Sequence, residues 1–126
     1  MPSDNLQLGI LAEDKAEKFL KAGGYKILCR NYKTRLGEVD IIAKEKDIFC
    51  FIEVKLRSSD KFGKGSEAVS VKKQGQISKA ALIFLKENKL MDKGARFDVV
   101  SLEASGAEEN ISLIKNAFEL DARFTY

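Results

Sequence analysis

The spacing of apolar and polar residues changes several times along the chain, and each change marks an element. Leu8, Ala12, Ala16, Phe19 and Leu20 recur at helical spacing within residues 6–22, and Gly23-Gly24 is a strong stop, so a first helix is predicted there. Residues 25–32 read as a strand, followed by a polar connection at Lys33-Thr34-Arg35. Two β-branched and aromatic runs, 39–43 and 48–54, flank the polar turn Glu45-Lys46-Asp47, which is a hairpin signature. Residues 57–65 are punctuated by glycine and serine and read as a loop bordering whatever the hairpin carries. Ser70 is a plausible N-cap for a second helix over residues 71–88, with Ile77, Ala80, Ala81, Phe84 and Leu85 as its buried stripe. Beyond a loop at 88–94, residues 95–102 and 111–118 read as two further strands, separated by a small, acidic turn at 103–110. Helix, three strands, helix, two strands predicts an α/β protein with a mixed five-stranded sheet flanked by helices. At 126 residues, one domain spanning 1–126 is the simplest division.

Charged residues interrupt the hairpin where charge is normally avoided. Side chains alternate along a strand, so Glu53 and Lys55 share a face and Val54 points the other way. A turn centred between Lys46 and Asp47 pairs Asp40 with Glu53, and directly opposed like charges repel. A divalent metal held by both carboxylates, with Lys55 beside it, gives these residues a reason to be together. Gly9, Glu13, Ala16 and Leu20 fall on nearly one line of the first helix, which puts Glu13 on or beside the buried stripe. Its plain reading is an edge glutamate paired with a lysine such as Lys18 or Lys21.

Composition narrows the chemistry. The chain has no histidine, which removes Ser-His and Cys-His nucleophilic sites and histidine-ligated zinc and leaves carboxylates, lysine and metal. A net charge of +3 is compatible with nucleic acid but is no argument for it. Cations do cluster, at Lys55, Arg57, Lys61 and Lys64 and at Lys72-Lys73, and a solvated lysine face fits them equally well. The Lys72-Lys73 pair sits in the first turn of the second helix, against its macrodipole, a conflict expected where an anionic ligand approaches. Phe62 between lysines reads either as a contact to a nucleic-acid backbone or base, or as the anchor of a solvent loop. Cys29 and Cys50 lack metal-ligand or CxxC spacing and read as buried free thiols, which suits a reducing compartment. No secretory signal is visible at the N-terminus and no apolar run approaches the roughly 18 residues of a membrane span. The expectation is a cytoplasmic protein with no membrane partner.

Several of these residues also fall into motifs. Gly9-x-x-x-Glu13-x-x-Ala16, Gly24-Tyr25, Asn31-Tyr32, Gly37-Glu38-x-Asp40, Phe51-x-Glu53-Val54-Lys55-x-Arg57 and Phe62-Gly63 match the bacterial YraN family. So do Lys72-Lys73-Gln74, Arg96-Phe97-Asp98-Val99-Val100 and Asn116-Ala117-Phe118. The chain resembles that family from about residue 8 to 118. The family's function is uncharacterised; it is assigned to the restriction-endonuclease-like PD-(D/E)xK superfamily and is similar to archaeal Holliday-junction resolvases. The resemblance implies a restriction-endonuclease-like fold, with Asp40 and Glu53 as ligands of Mg²⁺ or Mn²⁺ and Lys55 as the catalytic lysine. It also turns the reading of Glu13 towards a helix-borne glutamate that assists the metal. Arg57, Lys72, Lys73 and Gln74 would face nucleic acid, Gln74 by the weakest likeness. Leu56 departs from the polar residue many relatives carry there, but it points away from the site. The implied function is a Mg²⁺-dependent nuclease of DNA, structure-selective in the resolvase manner, with a homodimer as the reasonable assembly for a reaction on two strands. The alternatives are a nucleic-acid-binding module of the same fold with little or no turnover, and a structural protein with a buried ion network.

Overall fold

The computed structural model describes residues 4–58, 69–105 and 108–119. The chain runs α1 (Asp4–Ala22), β1 (Lys26–Lys33), β2 (Glu38–Glu45), β3 (Ile48–Ser58), α2 (Val71–Glu87), β4 (Gly94–Ser105) and β5 (Glu108–Phe118). The strands form one sheet in the order β1-β2-β3-β4-β5. β3 and β4 are parallel and every other pair is antiparallel, so the sheet is mixed, with α2 as the crossover between the parallel strands. This is the expected α/β architecture, consistent with a restriction-endonuclease-like fold.

Each helix covers one face of the sheet. Ala12, Ala16 and Leu20 of α1 pack on Ile41, Ala43, Cys50, Ile52, Val100 and Leu102. On the other face Ile77, Ala80, Ala81 and Leu85 of α2 pack on Ile42, Phe49, Phe51, Phe97 and Val99. Alternation along β3 therefore sends Phe49 and Phe51 towards α2, and Cys50 and Ile52 towards α1. A strand buried on both faces, as β3 is, reads as a near-continuous apolar run, and residues 48–54 do.

Local chemistry sets the element ends. Gly24 has φ of 95°, a left-handed conformation suited to glycine, and closes α1. β2 and β3 are joined through Lys46 and Asp47 alone, with Lys46 at φ 55°. Ser70 caps α2 as expected, its hydroxyl accepting the Lys73 backbone N–H at 3.1 Å.

Several expected boundaries are corrected. α1 begins at Asp4, and Arg57 and Ser58 belong to β3 rather than to a loop. Gly94 opens β4 instead of closing the preceding loop. Most of the expected turn at 103–110 is strand, because β4 continues to Ser105 and pairs Glu103 with Asn110 and Ala104 with Glu109. In α2, Ser78 and Leu82 join the buried stripe, while Phe84 is half-buried. Lys61, Phe62, Gly63 and Lys64 lie outside the described residues. Among the described residues, no helix is long and apolar enough to cross a membrane.

Candidate active site

The two-residue turn fixes the hairpin register: Glu45 faces Ile48, Ala43 faces Cys50 and Ile41 faces Ile52. One further step places Asp40 opposite Glu53, as the sequence predicts. There the ladder gives way to a side chain, because the Asp40 carboxylate accepts the Val54 backbone N–H at 2.8 Å. Glu53 continues the face of Phe49 and Phe51 towards α2, and it is 4% exposed. Lys55, two residues on, is half-buried on the same face.

The electrostatics follow from this packing. Burial pushes the Glu53 carboxyl up to about 8, helped by a hydrogen bond and charge repulsion from Asp40 and opposed by Lys73 and Lys55. At neutral pH without a cation, Glu53 therefore tends to keep its proton and share it with Asp40. Lys73 Nζ stands 3.9 Å from the Glu53 carboxylate and 4.0 Å from that of Glu38. A lysine in the first turn of a helix opposes the macrodipole, and here the groups it meets are the protein's own Glu38 and Glu53 side chains. The hairpin and the start of α2 thus bring Asp40, Glu53, Lys55 and Lys73 together.

Glu13 is engaged with β1. Its carboxylate accepts from Arg30 at 3.2 Å and from the Asn31 side chain at 3.1 Å, on the α1 side of the sheet. The edge glutamate is thus paired across to β1 rather than with Lys18 or Lys21; Lys21 pairs with Glu17. Asn31 lies between the pairs Arg30–Ile41 and Tyr32–Val39, which sets it opposite Asp40, and it is in the left-handed region at φ 54°. Glu13 is therefore one strand removed from Asp40. Among the described residues, no three His, Cys, Asp or Glu side chains are grouped to hold a metal ion. A divalent metal here would rest on Asp40 and Glu53, and Mg²⁺, which keeps several waters, accepts one or two carboxylates.

Of the residues assigned to nucleic acid, Lys73 is engaged with the site carboxylates, and the Gln74 side chain donates to the Val69 carbonyl at 3.0 Å, pinning the start of α2. Lys72 is exposed on the same turn. Arg57, near the end of β3, also makes an interaction within the protein.

A second polar cluster was not visible as a unit in the sequence. Asp98 is fully buried and takes two hydrogen bonds from Arg96, at 2.9 and 3.0 Å, and one from the Tyr25 hydroxyl at 3.1 Å. It also accepts the Asn116 backbone N–H at 2.9 Å. Arg96 reaches Glu45 as well, at 2.9 Å, and Lys115 closes on Glu45 at 3.0 Å. Hydrogen bonds from Lys115 and Arg96 hold the Glu45 carboxyl below its ordinary value, while burial and Asp98 push the Tyr25 hydroxyl up. Burial also pushes the Cys50 thiol up to about 12, so this free cysteine is not a nucleophile. Every member of the cluster is partnered; Glu45 ties it to the turn of the β2–β3 hairpin, and Asp98, opposite Ile52, lies on the α1 face of the sheet rather than on the face of Glu53. The single sequence signal was the charged Arg96 and Asp98 on the face of a strand that also carries Val100.

The sequence comparisons agree with one another. A family model described as "Uncharacterised protein family UPF0102" matches residues 12–102. A UPF0102 protein of Syntrophus aciditrophicus is 46% identical over 118 residues, covering 94% of this chain and 93% of the relative. One from Sulfurihydrogenibium sp. is 43% identical over 118 residues, covering 94% and 99%. A third, from Caldicellulosiruptor saccharolyticus, is 47% identical over 114 residues, covering 89% and 97%. The chain belongs to the UPF0102 family, the YraN family whose motifs its sequence carries.

Proposed function

We propose that this protein is a Mg²⁺-dependent nuclease that hydrolyses phosphodiester bonds of DNA. The observation that supports this best is the contact between Asp40 and a buried Glu53 on one hairpin, with Lys55 on the same face as Glu53. Two carboxylates driven together inside a protein repel, and a divalent cation is what relieves them. Asp40 and Glu53 would hold it, and the bound ion would supply an activated water and charge neutralisation at the phosphate. Lys55 is placed to orient the attacking water or to stabilise charge developing on the phosphoryl oxygens. Lys73 lies beside Glu53 when no cation is bound and would be free to turn to a phosphate once one is. Glu13, whose Oε1 is held by Arg30 and Asn31, would join the ligand set through its other carboxylate oxygen. Resemblance to resolvases favours branched DNA as substrate and a homodimer as the acting form.

One observation favours a second reading. Lys73 already stands 3.9 Å from Glu53, and among the described residues no third ligand group joins the pair, which suits a DNA-binding module with little turnover. Cleavage of a labelled panel separates the two: linear duplex, single strand, flap and four-way junction, with RNA counterparts, in Mg²⁺ or Mn²⁺. Metal-dependent cutting by the wild type is expected, with a loss of about 10²-fold or more in Asp40→Asn and Lys55→Ala. Binding without cutting would establish the module instead, and neither would sink both readings.

A further inference from the structure

The connection between β1 and β2 is a rigid basic ridge beside the site. Thr34 ties it: its hydroxyl accepts the backbone N–H groups of Leu36 and Gly37, both at 3.1 Å, and donates to the Gly37 carbonyl at 2.9 Å. The Thr34 N–H adds a fourth bond to that carbonyl at 2.8 Å. Gly37 in turn lies so close to α2 that a Cβ there would overlap the Gln76 backbone. The turn is therefore bound both within itself and to the second helix.

On this ridge Lys33 and Arg35 are exposed. Among the described residues the other three arginines, Arg30, Arg57 and Arg96, each have a partner inside the protein, whereas Arg35 and Lys33 have no ion-pair partner. The ridge separates two open, mainly polar grooves. One, of about 310 Å³, runs between the turn and Gln76 and is bordered by Glu38. The other, of about 420 Å³, lies towards Ile83 and Glu87. Glu38 links the first to the site: it is 4.0 Å from Lys73, and Lys73 is 3.9 Å from Glu53.

We infer that the β1–β2 turn is a nucleic-acid backbone contact, in which Lys33 and Arg35 bind phosphates flanking the one presented to Asp40 and Glu53. This inference rests on the nucleic-acid reading above and adds the surface that aligns the strand. An arginine on a fixed turn loses less freedom on binding than one on a mobile loop, so the pinning by Thr34 and Gly37 favours the contact. The contacts are to phosphate, so the ridge sets position and affinity and carries no base preference.

The test is fluorescence anisotropy of a labelled DNA duplex and a labelled four-way junction, in Ca²⁺ so that binding is read without turnover, over a series of salt concentrations. Lys33→Gln with Arg35→Gln is compared with the wild type and with Lys26→Ala plus Lys93→Ala, which removes equal charge at the opposite end of the sheet. The ridge variant is expected to bind both probes roughly ten-fold more weakly, with the slope of log affinity against log salt reduced by about 1–2. The control pair is expected to leave the slope unchanged. If wild type and ridge variant share affinity and slope, the turn is not a contact, while the nucleic-acid reading stands. Equal losses in the ridge and control variants would reduce the effect to net charge and also overturn the inference. A wild type that binds neither probe would overturn the ridge and the reading beneath it together.

Discussion

The proposed metal role gives Glu53 two requirements that conflict. A ligand of a divalent cation must be ionised, yet burial and the neighbouring Asp40 hold this carboxyl protonated to about pH 8. In the unfolded chain the same group ionises near 4.5. Between those values the folded protein keeps a proton that the unfolded protein has lost, so folding stability contributed by this site falls as pH rises through the window. The contribution is complete below the unfolded value and gone above the folded one. We expect metal-free wild type to lose on the order of a few kcal/mol across it relative to Glu53→Gln, whose side chain does not titrate. Urea unfolding in chelator at several pH values measures the difference, and parallel curves for the two proteins would show that Glu53 is not held protonated. Metal binding has the opposite dependence. Occupancy requires release of the proton, so apparent Mg²⁺ affinity should rise with pH and level off near 8 in the wild type. Calorimetry in buffers of different ionisation heat would count that proton directly.

Among the elements, the β1–β2 turn and the start of α2 are held together by an absence of side chain. Gly37 has no special backbone conformation among the glycines, so its role is steric: a methyl group would meet the Gln76 backbone. Gly24 is the contrasting case, with open space around it and a φ of 95°. Gly37→Ala should cost about 1–3 kcal/mol and move the turn away from α2, as overpacking does. Gly24→Ala should cost about 1 kcal/mol through backbone strain alone and leave the turn in place. Denaturation gives both costs, and the Gln76 amide resonance tells them apart, since it should shift strongly in the first variant and hardly in the second. The difference in legibility between parts of the fold has the same physical origin. The hairpin register and the cap of α2 could be read from the sequence because local rules fix them: a two-residue turn determines which residues face each other, and Ser70 needs only its own helix. The strand character of residues 103–105 could not be read, because small and acidic residues there are carried by ladder bonds to β5 rather than by propensity. Glu13 was placed beside the buried stripe by periodicity, but its partners Arg30 and Asn31 come from β1 and have no signal in the helix. Lys73 was read as awaiting an outside anion, and the carboxylates it meets are brought to it by tertiary packing.

Across the whole molecule the sheet has two dissimilar faces. Asp40, Glu53, Lys55 and the basic turn gather on the α2 side, where two carboxyl groups are crowded and a bound cation would relieve them. The other is closed by Asp98, Arg96, Tyr25, Glu45 and Lys115, where two acids face two bases and each donor finds an acceptor. This network joins the segment after α1, the β2–β3 turn, β4 and β5, including Asn116 at φ 54° beside the irregular register of β5. A satisfied buried network of this kind is costly to break and cheap to replace whole, because removing one partner strands the other in a medium that does not solvate it. Asp98→Ala should therefore destabilise by about 3–5 kcal/mol, Arg96→Met by a comparable amount, and the double variant by clearly less than the sum. Urea unfolding of the four proteins gives the coupling energy. Because the network lies on the opposite face of the sheet from Glu53, whichever variant remains folded should bind Mg²⁺ with wild-type affinity. Additive losses would show that Arg96 and Asp98 act independently of each other. Weakened metal binding in a folded variant would instead show that the closed face of the sheet sets the geometry of the open one, and that the two faces are a single site.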